Sequence, residues 1–313
     1  MKKISIVTGC YNEEENVEAL YTEVKKIFQE KLKDYEYEHI FIDNASKDAT
    51  VSILKRLAGV DKNVKIIVNS RNFGHIRSPY YGLLQASGDA VISIVADFQD
   101  PPDMIPQLIG KWEEGFKIAV GVKEKSDESS IFFLIRKIYY KIATKLADVE
   151  LIDNFTGFGL YDKSIIDIFR NIPDAYPYFR GLICEIGFEK AIIEYHQPAR
   201  KRGITKNNFY TLFDLAMLGI TTHSKVPVRL ASMMGFGTAI LSLFVALGYF
   251  VYKILFWNSF QLGLAPLVIG LFFFSAVQLI SIGIIGEYVG NIYTQVLKRP
   301  LVIEKERVNF KKE

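Results

Sequence analysis

The apolar positions of this chain change character near Val226. Before it they come as short runs and periodic faces; after it they come as two long blocks. In the first part Ile4–Gly9, Tyr37–Ile42, Val64–Asn69 and Ala90–Val95 read as short buried strands. Helical stretches, Glu14–Lys33, Ala49–Ala58 and Ile76–Ala86, lie between them. Strand and helix in alternation predict βαβ units and a mostly parallel sheet with helices on both faces. Ligands of such sheets bind beyond the carboxyl ends of the strands. Polar clusters fall at those places: Tyr11-Asn12-Glu13, Asp43-Asn44, Arg71-Asn72 and Asp97 to Asp100 each follow a strand.

In the second part, Leu230–Phe256 has one charge, Lys253 near its end, and Leu264–Ile285 has none. About 20 apolar residues span a bilayer, so both segments are long enough. Lys253 can snorkel to the headgroups, and Trp257 opens the short uncharged connection as an interfacial anchor. Lys225, Arg229, Lys298, Arg299 and Lys305 gather at the other ends, which by the positive-inside rule face the cytoplasm. The alternative is a pair of buried core helices. Ile131–Ala147 has an apolar face and a lysine at every fourth position from Lys137, which suits either a membrane surface or an ordinary surface helix. The expected domains are an α/β domain over 1–208, an amphipathic interfacial linker over 209–229, two spans within 230–290 (about 230–256 and 264–286), and a cytoplasmic tail over 291–313.

Composition supports that division. Half of the 313 residues are apolar, and the mean hydropathy of +0.15 is high for a wholly soluble enzyme. A net charge of +3 excludes nucleic acid as the main partner. Two cysteines give no disulfide framework, which points to a reducing compartment. The apolar run after Met1-Lys2-Lys3 is too short for a signal peptide. The α/β domain is therefore expected in the cytosol.

Asp97-Phe98-Gln99-Asp100-Pro101-Pro102 carries the most chemistry: two carboxylates and an amide after a strand, stiffened by two prolines. Mg²⁺ or Mn²⁺ takes one or two carboxylates and completes its shell with substrate phosphate. The plainer reading is an acidic turn in which Asp100 or Asp103 caps the next helix. Asp43, at the end of a strand, suits a nucleotide's base or ribose, whereas Asp48 or Ser46 suits a helix cap. The chain has no GxGxxG, no P-loop and no zinc spacing.

These pieces together resemble the polyprenyl-phosphate glycosyltransferases of family 2. The matching motifs are Tyr11-Asn12-Glu13-Glu14, Asp43 to Thr50, Ser70 to Gly74, Gly88-Asp89, Ala96 to Pro102, Gly203-Ile204-Thr205-Lys206, and Gly286 to Gly290 with Ile292-Tyr293. The resemblance implies a GT-A fold, a Rossmann-like mostly parallel sheet, followed by a two-helix transmembrane hairpin. It implies inverting transfer from a nucleotide sugar, by default UDP-glucose, to polyprenyl phosphate, by default undecaprenyl phosphate, at a bacterial plasma membrane. Tyr11, Glu13, Asp43, Arg71 and Asp97 would contact the donor, and Asp97 and Gln99 would hold a divalent metal, Mg²⁺ or Mn²⁺. Asp97 and Asp162 would be catalytic. Arg136, Arg200, Arg202 and Lys206 would grip the acceptor phosphate, and relatives suggest self-association as a homo-oligomer.

Three positions depart from the family pattern. Asn44 and Val95 stand where acids are usual, and the position of a proposed base falls near Gly157, with only Asp153 and Asp162 as acids close by. A phosphate acceptor tolerates that loss, because its second pKa of ≈ 6 leaves it largely dianionic at neutral pH. The losses also motivate a rival reading, a non-catalytic membrane scaffold. A processive polysaccharide synthase is a further alternative: Gln197-Pro198-Ala199-Arg200 echoes the QxxRW motif of those enzymes, but Lys201 replaces its tryptophan.

Overall fold

The computed structural model describes residues 1–125, 152–198, 209–256 and 264–310. The predicted helix Ile131–Ala147, the connection Trp257–Gly263 and the residues Arg136, Arg200, Arg202 and Lys206 lie outside this description. Along the chain come β1 (Lys2–Cys10), α1 (Val17–Glu30), β2 (Tyr35–Asp43), α2 (Thr50–Val60), β3 (Val64–Asn69), α3 (Gly74–Leu84) and β4 (Ala90–Ser93). A 3₁₀ turn (Pro102–Met104), α4 (Ile105–Glu113), β5 (Ile118–Lys125), β6 (Phe155–Asp162), α5 (Lys163–Arg170), α6 (Phe179–Glu185) and β7 (Lys190–His196) follow. The chain continues through α7 (Phe209–His223), α8 (Val226–Leu255), α9 (Leu264–Val296) and β8 (Glu304–Val308). One 8-stranded sheet has the order β7-β5-β6-β4-β1-β2-β3-β8. β1 to β5 and β7 run one way, with β6 and β8 against them.

The central strands are buried on both faces, as parallel strands between helix layers must be. Val17, Leu20, Tyr21, Val24, Ile27 and Phe28 recur at helical spacing and press α1 onto one face beside Ile4, Ile6, Phe41 and Ile66. Tyr80, Leu83, Ile165 and Phe169 carry α3 and α5 onto the other face against Val7, Ile40 and Ile42. Each such side chain contributes roughly 1.5–3 kcal/mol when fully buried. Two elements are shorter than their apolar patterns. Helix α1 starts at Val17 rather than Glu14, because Glu14 is tied to the next loop, its carboxylate accepting from Ala49 N at 2.8 Å. β4 stops at Ser93 rather than Val95, because Val95 N–H turns to the Asp100 carboxylate at 3.2 Å.

Helices α8 (30 residues) and α9 (33 residues) are long and apolar enough to cross a membrane. At 1.5 Å per residue they measure roughly 45 and 50 Å, about a bilayer with its headgroups. Almost none of their side chains are buried within the protein, so they are not core helices. α9 runs past Ile285 to Val296. Its last turns carry a polar stripe that binds the α/β domain and α7. Tyr288 OH donates to Ser224 O at 2.6 Å, and Gln295 Nε2 donates to Asp174 Oδ1 at 2.7 Å. Val289, Ile292, Tyr293 and Val296 stay exposed on the opposite side.

The segment read as a tail re-enters the sheet. β8 lies antiparallel to β3, pairing Ile67 with Arg307 and Val68 with Glu306. Ser70 N donates to Ile303 O at 2.9 Å, and Asn309 Nδ2 donates to Ala58 O and Val64 O at 2.8 and 2.9 Å.

At the amino edge the buried Glu38 binds three strands together. Its carboxylate accepts from Lys3 and Lys65 at 2.7 and 2.6 Å, from Ser5 Oγ at 2.6 Å and from Ser87 N at 2.8 Å. Burial alone would raise its pKa, but these bonds outweigh it and hold it at about 2. A depressed pKa contributes stability that is complete above the unfolded value near 4.3 and is lost as pH falls toward 2. Glu38→Gln is expected to destabilise the protein by roughly 3 kcal/mol at pH 7. In thermal unfolding it should also flatten the loss of Tm between about pH 4.5 and 2.

Candidate active site at the carboxyl edge of the sheet

β1 and β2 end side by side, Cys10 opposite Asp43, and the loops that follow satisfy each other's backbone. Asn12 N donates to Ser46 Oγ, Glu13 N to Thr50 Oγ1 and Lys47 N to Asn12 Oδ1, each at 2.8 Å. Tyr11 and Glu13 are thereby held half-buried at the rim, where the Glu13 carboxylate also accepts from Asn16 Nδ2 at 2.7 Å. Left-handed backbone gathers at this edge: Asn12 (φ 55), Ala45 (φ 62), Phe98 (φ 63) and Asn154 (φ 57). Such residues cost about 1–3 kcal/mol each and cluster where function fixes the backbone.

Beyond β4, Asp97 accepts from Gln99 N at 3.1 Å, so the chain folds tightly around Phe98 and holds Asp97 and Gln99 half-buried beside each other. Asp100 caps no helix. It is fully buried and accepts from Val95 N and from Tyr195 OH at 3.0 Å. Burial, only partly offset by those bonds, raises its pKa to about 6. Asp100 therefore shapes the loop, while Asp97 and Gln99 present oxygen donors at the edge. Among the described residues no group of three His, Cys, Asp or Glu could hold a metal. One carboxylate and one amide oxygen fit a hard divalent ion whose remaining ligands come from a diphosphate.

Asp43 is not presented to the cleft. It is fully buried, and its carboxylate accepts from Ser46 N at 2.9 Å and from Ser46 Oγ, which closes the turn that Ala45 occupies. Burial pushes its pKa up. Arg71 lies one loop further out, its guanidinium 4.0 Å from the Phe73 ring and bonded to Asn72 O at 3.0 Å. Asp162 sits at the opposite edge of the sheet. It pairs with Ala90 at the start of β4, caps α5 through Ser164 N at 3.0 Å, and accepts from Trp112 Nε1 at 2.8 Å. Because β6 runs against β4, the end of its chain falls away from the site, so the catalytic expectation for Asp162 is corrected to a structural one. Gly157, at φ +100, stands near the site and adds no acid. A cavity of about 730 Å³ at the amino edge, lined by Lys3, Lys25, Tyr35, Glu38, Asp61 and Lys65, is also remote.

Sequence reasoning missed two positioning residues, Tyr195 and Asn44. Asn44 uses both halves of its amide. Its Oδ1 accepts from Phe73 N at 2.8 Å and Asn69 Nδ2 at 3.2 Å, and its Nδ2 donates to Asn72 Oδ1 at 2.9 Å and Gly74 O at 3.1 Å. A carboxylate here would face two acceptors in a buried site next to Asp43. Asn44→Asp is therefore expected to cost roughly 2–3 kcal/mol in thermal unfolding and to weaken nucleotide binding in calorimetry; tighter nucleotide binding would instead identify a lost ligand-binding acid.

Residues 5–169 match the profile of glycosyl transferase family 2. The chain is 36% identical to the SfII prophage-derived bactoprenol glucosyl transferase of Shigella flexneri, over 97% of this chain and 98% of that protein. It is 35% identical to a prophage bactoprenol glucosyl transferase homolog of Escherichia coli K12, with the same coverage of both chains. It is 34% identical to the uncharacterized glycosyltransferase YkcC of Bacillus subtilis strain 168, over 96% and 92%. In fold it is similar to glucosyl-3-phosphoglycerate synthase from Mycobacterium tuberculosis, solved with Mn²⁺, UDP and phosphoglyceric acid. The TM-score is 0.51 at 20% identity, over 71% of this chain and 77% of that one. The sheet has the expected GT-A arrangement, and the chain belongs to glycosyl transferase family 2.

Proposed function

We propose that this glycosyltransferase moves a hexose, glucose first among the candidates, from a UDP-sugar to polyprenyl phosphate at the cytoplasmic face of a bacterial plasma membrane. The observation that carries the reading is the placement of Tyr11, Glu13, Asp97 and Gln99 on one edge of the sheet, in a chain whose second apolar helix is followed by Lys298 and Arg299 near that edge. The relatives named bactoprenol glucosyl transferases support the substrate pair. Tyr11 and Glu13 take the nucleoside, and the loop that Asp43 and Asn44 brace keeps their rim in place. Asp97 and Gln99 would hold Mg²⁺ or Mn²⁺, as suits their oxygen donors; the synthase of similar fold was solved with Mn²⁺ and UDP. When bound, such an ion would supply charge neutralisation for the leaving diphosphate.

The acceptor phosphate is already largely dianionic at neutral pH. One of its oxygens attacks the anomeric carbon from the side opposite the diphosphate. A new C–O bond forms, the old one breaks with its electron pair leaving on UDP, and the configuration inverts. No proton has to be removed, so the absence of an acid at Gly157 and the distance of Asp162 do not disable the reaction. Arg136, Arg200, Arg202 and Lys206 remain the proposed grip on the acceptor. The flanking charges Lys225, Arg229, Lys298 and Arg299 support an orientation with both ends of the hairpin in the cytoplasm, and self-association through the apolar helices completes the proposal.

Membranes containing the chain should convert undecaprenyl phosphate and labelled UDP-glucose, out of a panel of UDP-sugars, into labelled lipid. Asp97→Asn should lower that rate roughly 100-fold. No labelled lipid with any donor, or an Asp97→Asn variant as fast as the parent, would contradict the assignment.

A further inference from the structure

Three arginines meet where the loop after β3 and the start of α3 lie beside the chain leaving α9. Arg71 and Arg77 flank one ring, the buried Phe73, with guanidinium carbons 4.0 and 5.6 Å from its centroid. Arg77 Nη2 donates to Pro300 O, which brings the neighbouring Arg299 to the same spot from the membrane helix. Among the described residues Arg56, Arg170 and Arg307 each have a carboxylate partner, and these three have none. Arg77 Nε is buried and has no hydrogen-bond acceptor. The first turn of α3 opens beside them with no acidic residue and no side-chain cap, so its positive end adds to the field. Burial and the charges of Arg71 and Arg299 pull the Arg77 pKa down, as expected of positive groups held together without an anion.

Like charges held this close, with a buried N–H left over, call for an anion, and guanidinium forks match phosphate oxygens. The position narrows the source of that anion. At its length α9 spans a whole bilayer with its headgroups, so Arg299, just past its end, lies at the level of lipid phosphates. We propose that Arg71, which the family resemblance would give to the donor, instead forms with Arg77 and Arg299 a binding site for a lipid-borne phosphate at the membrane-side lip of the donor cleft. The phosphate is either the monoester of the polyprenyl acceptor or the diester of an anionic phospholipid headgroup. The first source rests on the transferase reading; the second does not.

Arg77 also holds Pro300, so the test uses Arg71→Gln with Arg299→Gln. The first loses only a bond to its neighbour's carbonyl and a ring contact, and the second makes no hydrogen bond among the described residues. The full-length protein in detergent is mixed with undecaprenyl phosphate or with phosphatidylglycerol, and bound lipids are counted by native mass spectrometry. Calorimetry gives UDP affinity in Mn²⁺. The double variant should lose at least tenfold in occupancy of one lipid or both, with UDP affinity changed less than twofold. Selective loss of undecaprenyl phosphate, with a raised KM for it in transfer assays, makes the site an acceptor seat. Selective loss of phosphatidylglycerol makes it a headgroup anchor. Unchanged counts for both lipids would overturn the site, and so would a parallel loss of UDP affinity, which would assign the arginines to the donor. Lipid counting needs no turnover, so failure of the transfer reaction would be recognised separately.

Discussion

The constraint on which the rest depends is the return of the chain from the second membrane helix to the sheet. β8 pairs with β3, and the loop that leaves β3 at Asn69 opens directly onto the candidate site. Backbone pairing, the Asn309 bonds and the ion pair of Lys55 with Glu306 at 2.6 Å fasten this return. Each hydrogen bond contributes only about 0.5–1.5 kcal/mol net, but together with the polar stripe of α9 they leave the membrane helices little freedom to swing. A sheet edge proposed to meet a lipid phosphate is thus built into the same body as a helix long and apolar enough to cross a membrane.

Within that body the site is stiffened before any ligand arrives. The loops after β1 and β2 exchange side-chain acceptors for backbone donors, Asn44 pins the loop after β3, and Asp100 with Tyr195 pins the loop after β4. Left-handed residues in three of these connections show that tertiary bonds, rather than local preference, set the backbone. Transfer between two phosphorylated partners depends chiefly on alignment and charge neutralisation, so such bracing serves the reaction directly. It also recasts the departures from the family pattern. Asn44 is a working amide rather than a vanished acid, and the glycine at position 157 suits an acceptor that is already ionised.

Much of this was legible in the sequence because it rests on patterns that the chain cannot hide. Apolar runs such as Val64–Asn69 mark strands buried on both faces, and two long apolar blocks mark helices long enough to cross a membrane. The placement of Tyr11, Glu13, Asp97 and Gln99 at the carboxyl edge was legible from their position after strands. β8 was not, because Glu304-Lys305-Glu306-Arg307-Val308 is an edge strand held by main chain and charge, without apolar alternation. The continuation of α9 was hidden by Glu287, which reads as the end of a span although Tyr288, Asn291 and Gln295 form a docking face. The roles of Asp162 and Asn44 depended on partners far away in sequence, Asp43 closes its own turn through Ser46, and the antiparallel direction of β6 alone moved Asp162 to the wrong edge.

With α8 and α9 across a bilayer as proposed, the carboxyl edge of the sheet faces the headgroups and the amino edge faces away. Val95 and Val60 are exposed at these opposite edges, and Cys10 and Cys184 are both buried, so single introduced cysteines can be spin-labelled selectively. In nanodiscs bearing a nickel-chelating headgroup lipid, the nitroxide at Val95→Cys should relax markedly faster than that at Val60→Cys. Equal relaxation, or faster relaxation at position 60, would contradict the account.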